Sequence, residues 1–180
     1  MSNNKTRQIA YMAMYLALAV GLDYIKELIP FLNMPSGGSV NIALIPIVLA
    51  SFHLGVKKGV LLGLLWWFIS FIMGLNSDFI NIYQYLFDYI LSSAVIGAGS
   101  FLYKKKSTSE VIIGILICML LRTVFICISG AYFWVGDLAA GSKEAWIASL
   151  AYNGPYCLAT AVMLIVLMPI LLKSLKNILL

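Results

Sequence analysis

Six apolar segments follow one another along this 180-residue chain, and they constrain its fold more than any other feature. The sequence is 62% hydrophobic and only 11% charged, with a mean hydropathy of +0.98. A water-soluble domain of this length would need a far more polar surface. The chain is therefore expected to be an all-α, polytopic membrane protein that forms one domain over residues 1–180.

Each apolar segment predicts one transmembrane helix. A spanning helix needs roughly 20 mostly apolar residues. Pro30 ends the first helix because proline cannot continue a helical backbone. The second and third segments are short, which predicts tilt or burial among the other helices. The predicted helices cover Ile9–Ile29, Val40–Leu54, Gly59–Met73, Ile80–Tyr103, Val111–Trp134 and Trp146–Leu172.

Lysine and arginine residues are distributed unevenly between the predicted loops. With the N-terminus in the cytoplasm, nine fall on the inner side and only Lys26 and Lys143 on the outer side, while Arg122 lies within the fifth helix. The positive-inside rule therefore predicts six helices with both termini in the cytoplasm. The net charge of +5 reflects this orientation rather than an affinity for nucleic acid.

Few other polar groups interrupt the apolar segments. Asp23, Lys26 and Glu27 lie near the outer end of the first helix, where a solvated helix end with a local ion pair is expected. His53 lies at the inner end of the second helix beside Lys57, and we expect it to be solvated at the membrane interface.

No set of residues has the spacing of a catalytic or metal site. Three cysteines lie in apolar runs and are expected to be buried, reduced thiols. We therefore predict that the chain is not an enzyme and carries no cofactor of its own. The cysteines are Cys118, Cys127 and Cys157.

Small residues recur at helical spacing in two places. Ala13 and Ala17 lie four apart in the first helix, and Gly55, Gly59 and Gly63 follow the same spacing at the start of the third. Such spacing lets two helix backbones approach closely within a membrane. Both internal packing and docking of another membrane subunit fit this pattern.

Asp88 lies inside the fourth apolar segment, with Gln84 one turn earlier on the same face. A carboxylate at membrane depth costs a few kcal/mol unless it has a partner or faces water. The predicted topology places Asp88 roughly 12 Å below the outer surface, level with Trp134 and Asn153. A carboxylate, an amide and a flat ring at one level suit a small, nitrogen-rich or cationic ligand.

Each of these residues also has a simpler interpretation. Asp88 could form a structural ion pair with Arg122, since both lie within the membrane. Trp134 falls near a membrane boundary and could anchor the helix at the interface. Trp66 and Trp67 in the third helix are expected to pack internally or face lipid.

Several motifs together resemble the thiamine-specific S component of energy-coupling-factor vitamin transporters. Their order and spacing match that family over nearly the whole chain. The motifs lie in Met34–Val40, Ile45–Ile47, Gly55–Gly63, Gln84–Tyr89, Ile128–Trp134 and Ser149–Tyr156.

The resemblance implies a six-helix S component that binds thiamine at its outer face and delivers it inward. It would dock through Ala13 and Ala17 onto a transmembrane coupling subunit that carries two cytoplasmic ATPases, so ATP would be used by those partners. The first outer loop, Met34–Ser39, would close over the ligand. The implied ligand contacts are Asp88, Tyr89, Trp134 and Asn153, to which we add Gln84 and Gly38 as candidates.

Three positions depart from the pattern of this family. Ile126, Ala148 and Thr160 stand where the family usually has a histidine and often has a tyrosine and a carboxylate. A reduced pocket would also suit the pyrimidine precursor of thiamine or a pyridine of the vitamin B6 type. A different class of function, an autonomous proton-coupled carrier in which Asp88 titrates, is the other alternative, although no internal repeat supports it.

Overall fold

The structure is a computed structural model that describes residues 2–33, 38–75 and 78–175. Within these ranges the chain forms six helical segments. They are α1 (Ser2–Leu28), α2 (Leu44–Leu54), α3 (Val56–Ile72), α4 (residues 82–96), α5 (Thr108–Phe133) and α6 (Lys143–Ser174). A single turn of 3-10 helix, Pro30–Leu32, follows α1.

These helices confirm the predicted all-α fold. Three of them, α1, α5 and α6, are long and apolar enough to cross a membrane. The 11 residues of α2 extend about 16 Å, too short for a full span. The orientation of the termini stays a prediction. Residues 34–37 of the predicted ligand-covering loop lie outside the described residues.

Helix α4 ends earlier than predicted, at Ile96 instead of Tyr103. Its end is fixed by contacts with its neighbours. The Ser100 hydroxyl is within hydrogen-bond distance of the Ser51 hydroxyl of α2. It also donates to the Ser51 carbonyl at 2.7 Å. Because Ser100 is held from α2, the chain turns after Gly97 and does not continue the helix.

Glycines allow the helix backbones to touch. A Cβ at Gly59 in α3 would collide with the Gly97 carbonyl, and a Cβ at Gly63 would collide with the carbonyl of Ser93 in α4. Gly55 differs, since it ends α2 with a φ of 91° and faces open space. Gly59 and Gly63 therefore pack internally, which is one of the two roles that their spacing allowed.

The local ion pair predicted near the end of α1 is present, but Asp23 and Lys26 are buried, so the prediction that this helix end is solvated was wrong for these two residues. Asp23 is only 1% exposed. Its carboxylate accepts a hydrogen bond from Ser70 of α3 at 2.9 Å and pairs with Lys26 at 2.9 Å. Lys26 also reaches the exposed Glu27 at 3.2 Å. A buried ion pair needs such added hydrogen bonds to offset its desolvation, and here they join α1 to α3.

His53 is also more enclosed than expected. Its Nδ1 lies 3.0 Å from the Tyr15 hydroxyl of α1, and its ring packs against Tyr11 with centroids 4.8 Å apart. His53 stays partly exposed at the end of α2, and these contacts with α1 are what the prediction of a solvated interfacial histidine did not include. His53 ties α1 to α2 at the end of the bundle opposite Asp23.

Candidate functional site

A cavity of about 550 Å³ lies between α3, α4, α5 and α6, and its size is typical of a small-molecule site. The segments that follow α1, α3 and α5 complete its wall. Asp78, Asp88 and Arg122 are the charged residues among those that line it. Two carboxylates against one guanidinium give the cavity a negative formal charge, which favours a cationic or hydrogen-donating guest.

Asp88 lies in an irregular part of α4. The helix begins as an α-helix over Ile82–Tyr85, widens to a π-helix over Leu86–Leu91, and returns to an α-helix over Ser92–Ile96. The hydroxyl of Ser92 donates to the carbonyls of Asp88 and Tyr89, with the second bond at 3.2 Å. These bonds occupy carbonyl groups in the widened turn. Such π-bulges occur frequently at functional sites.

Two side chains hold the Asp88 carboxylate in place. The amide of Gln84 donates to Oδ2 at 2.8 Å, and the indole of Trp134 donates to the same oxygen at 3.0 Å. Gln84 is fully buried and does not line the cavity. It therefore supports Asp88 from behind, unlike the direct ligand contact that the sequence suggested.

Asp88 and Arg122 line the same cavity but do not form an ion pair. Among the described residues, the ion pairs within 4 Å are those of Lys26 alone. Arg122 instead donates to the backbone carbonyl of Ser92 at 3.0 Å and to its hydroxyl at 3.3 Å. The alternative of a structural Asp88–Arg122 pair is therefore wrong, and Arg122 is a cavity residue in its own right.

Aromatic rings form much of the rest of the site. Tyr89 lines the cavity and packs on Tyr85 with ring centroids 4.7 Å apart. Trp134 lies just beyond the end of α5, is half-exposed, and also lines the cavity. Its indole N–H points to Asp88 rather than to solvent. An anchor at the membrane interface does not need that bond, so the geometry favours a role in the site.

Asn153 of α6 lines the cavity, but its hydrogen bonds go to the protein. Its amide donates to the Ser149 carbonyl at 2.9 Å, and its carbonyl accepts from the Tyr156 hydroxyl. The Tyr156 ring in turn lies directly against Gly38, whose φ of 74° and lack of a Cβ permit this contact. One lone pair of the Asn153 carbonyl remains for another donor.

The three positions that depart from the family pattern separate in the structure. Ile126 and Ala148 line the cavity and give part of its wall an apolar character. Thr160 does not line it. The Thr160 hydroxyl donates to the Tyr156 carbonyl at 2.7 Å and accepts from the Asn41 backbone N–H at 3.1 Å. The interpretation of Thr160 as a pocket position was therefore wrong, since it joins the segment before α2 to α6.

Trp66 is a cavity residue, although only internal packing or contact with lipid was predicted for it. It is 3% exposed and lines the wall, and its buried indole N–H has no hydrogen-bond partner among the described residues. Its neighbour Trp67 donates to the Tyr85 hydroxyl at 3.3 Å. The two tryptophans are adjacent in one apolar run. Trp66 turns inward because α3 packs closely against its neighbours at Gly59 and Gly63.

Ala13 and Ala17 lie on the exposed side of α1, away from the cavity. A Cβ added at Gly21, one turn further along, would meet nothing within 4 Å. Ala13, Ala17 and Gly21 therefore do not pack within the described part of the chain, in contrast to Gly59 and Gly63 of α3.

Comparison with known proteins gives matches along nearly the full chain. Residues 9–180 match the model of a family described as thiamine transporter protein. The thiamine transporter ThiT of Bacillus subtilis (strain 168) is 37% identical over an alignment of 192 positions. The alignment covers 95% of this chain and 98% of that protein.

Two solved structures share the fold. ThiT from Listeria monocytogenes superposes with a TM-score of 0.81 at 22% identity, covering 98% of both chains. The S component of a bacterial ECF transporter superposes with a TM-score of 0.70 at 19% identity, covering 97% of this chain and 98% of the other. At these identities the likeness establishes the helical fold alone.

Proposed function

The chain belongs to the thiamine transporter protein family, as its motifs predicted, and from that membership we propose that it is the thiamine-binding subunit of an energy-coupling-factor transporter. Its family is one of multi-pass membrane transporters rather than enzymes. We place it in the plasma membrane of a bacterium with the cavity toward the outside. The charge bias of the loops and the fold shared with an S component support this assignment.

The observation that carries the proposal is the position of Asp88 beside Trp134 in a cavity of negative formal charge. Thiamine combines an aminopyrimidine, which donates hydrogen bonds, with a cationic thiazolium ring. Asp88 would accept from the aminopyrimidine, and Trp134 would stack on a ring and attract the cation. Tyr89 and Asn153 complete the contacts, and Gly38 lets the loop before α2 approach them.

A ligand titration tests the choice of vitamin. We expect thiamine to quench the intrinsic tryptophan fluorescence of the purified protein, because a ring stacked on Trp134 would quench its emission. Trp134→Phe should remove most of the quenching. Trp146→Phe is the matched control, since Trp146 lies in α6 and does not line the cavity.

Pyridoxine and the hydroxymethylpyrimidine precursor belong in the same titration. The apolar wall formed by Ile126 and Ala148 is the feature that could favour them. Quenching by either of these compounds, with none by thiamine, would contradict the thiamine assignment and leave the fold untouched.

Docking on a coupling module accounts for the exposed small residues of α1. We propose that a transmembrane coupling subunit with two ATPases packs against Ala13 and Ala17. Ala13→Leu and Ala17→Leu should lower ATP-driven thiamine uptake by about tenfold or more, because a larger side chain holds the two backbones apart. Thiamine binding by the isolated subunit should not change.

Uptake into membrane vesicles that contain the coupling subunit and the ATPases measures this effect. Ala151→Leu provides the control, since Ala151 is equally exposed but lies on α6. Thiamine uptake by this chain in vesicles without any ATPase would contradict the proposal and would favour an autonomous carrier.

A further inference from the structure

Trp134 has little backbone support of its own. It follows the last residue of α5, and its backbone has φ −111° and ψ 37°. Its backbone N–H donates one long hydrogen bond to the Gly130 carbonyl, at 3.3 Å. Half of its surface is exposed, and Gly136 with a φ of 57° lies two residues further on. A ring in this position needs a side-chain partner if it is to keep one orientation before a ligand binds.

That partner comes from α4. Asp88 lies 46 residues away in sequence and accepts the Trp134 indole N–H at 3.0 Å. Gln84 donates to the same oxygen and is itself fixed, because its backbone N–H donates to Asn81 at 2.9 Å and its side-chain carbonyl accepts from Ile80 at 3.1 Å. An unbroken series of hydrogen bonds therefore links the start of α4 to the Trp134 ring beyond α5.

We propose that Asp88 positions Trp134 as well as contacting the ligand, and that Gln84 is a positioning residue that acts through Asp88. The bonds from Gln84 and Trp134 both go to Oδ2, and Oδ1 takes part in neither. A ligand group that donates to Oδ1 would therefore leave the bond between Oδ2 and the indole ring in place. The ligand contact in this inference rests on the proposed function, but the bond that holds the ring does not.

Two consequences distinguish this arrangement from two independent contacts. A ring that is already oriented loses less freedom when the ligand binds, which raises affinity. In addition, removing the Asp88 charge weakens the bond between Asp88 and Trp134, and removing the indole N–H abolishes that same bond. Their effects on affinity should therefore not multiply, as the effects of residues that share an interaction do not.

The ring orientation can be tested without any ligand. In a spectrum of protein with 15N-labelled tryptophan, the indole N–H resonance of Trp134 is identified by its loss in Trp134→Phe. Asp88→Asn should move this resonance to higher field, because a carboxylate is the stronger acceptor. Asp137→Asn, which removes a charge from the same loop, should not move it. The resonances of the other three tryptophans report whether each variant is folded.

The coupling is measured with thiamine by calorimetry on Asp88→Asn, Trp134→Phe and the double variant. We expect the double variant to bind about tenfold more tightly than the product of the single effects predicts. Effects that multiply to within about twofold, or an indole resonance that Asp88→Asn leaves in place, would overturn the inference. If the unaltered protein does not bind thiamine but the resonance moves, the proposed function fails and the positioning of Trp134 by Asp88 stands.

Discussion

Asp88→Asn is expected to weaken thiamine binding by about 30-fold to several thousand-fold. Removing one partner of a buried, hydrogen-bonded charge pair typically costs about 2–5 kcal/mol, and each 1.4 kcal/mol is about tenfold in affinity. Here the loss has two parts. The ligand loses its charged acceptor, and the bond that orients the Trp134 ring becomes weaker because its acceptor is neutral.

The same substitution should have little effect on stability. Arg122 donates to Ser92 instead of Asp88, so the neutral side chain leaves no buried guanidinium without a partner. The carbonyl of the introduced asparagine can still accept from Gln84. Thermal unfolding of the variant beside Asp137→Asn measures this. A large fall in unfolding temperature without a loss of affinity would mean that Asp88 is structural.

The sequence predicted the six helices because their signal is local. Each apolar segment is bounded by residues that end a helix or leave the membrane, such as Pro30 after α1 or the lysines before α5. The C-terminal ends of α1 and α2, at Leu28 and Leu54, agree closely with the predicted ones at Ile29 and Leu54. The C-terminal end of α4 differs more, at Ile96 instead of Tyr103, because Ser51 of α2 holds Ser100 and that contact has no signature near α4.

Side-chain environments were predicted less well because they depend on partners that are distant in sequence. Asp23 and Lys26 resemble a solvated helix end until Ser70, 47 residues further on, supplies the hydrogen bond that lets them be buried. The widened turn around Asp88 could not be predicted either, since no residue type in Leu86–Leu91 distinguishes a π-helical turn from an α-helical one. That turn decides that Asp88 lines the cavity while Gln84 lies behind it.

The resemblance to the family could not by itself show which residues line the cavity. Asp88, Tyr89, Trp134 and Asn153 line one space, as the predicted topology required. Ile126 faces the same space, whereas Thr160 does not. Two departures from the family pattern rather than three therefore bear on selectivity, and both lie on α5 or α6. We accordingly expect differences in ligand preference to originate on that side of the cavity.

Gly59→Ala is expected to destabilise the protein by about 2–3 kcal/mol, at the upper end of the cost of overpacking. The added Cβ would collide with the carbonyl of Gly97 and with the backbone of Ser51. Neither backbone group can rotate away, so α3 would have to move from α4. For a chain of this length the change corresponds to a fall of roughly 5–10 °C in the unfolding temperature.

Gly21→Ala is the matched control, because it makes the same substitution in α1 where a Cβ would meet nothing within 4 Å. Alanine favours a helix over glycine by about 1 kcal/mol, so this variant should unfold at the same temperature or a higher one. Equal unfolding temperatures for the two variants would contradict the close α3–α4 contact. One turn beyond Gly59, Gly63 touches Ser93 of the cavity wall. The displacement that destabilises Gly59→Ala should therefore weaken thiamine binding as well, whereas Gly21→Ala should bind as the unaltered protein does.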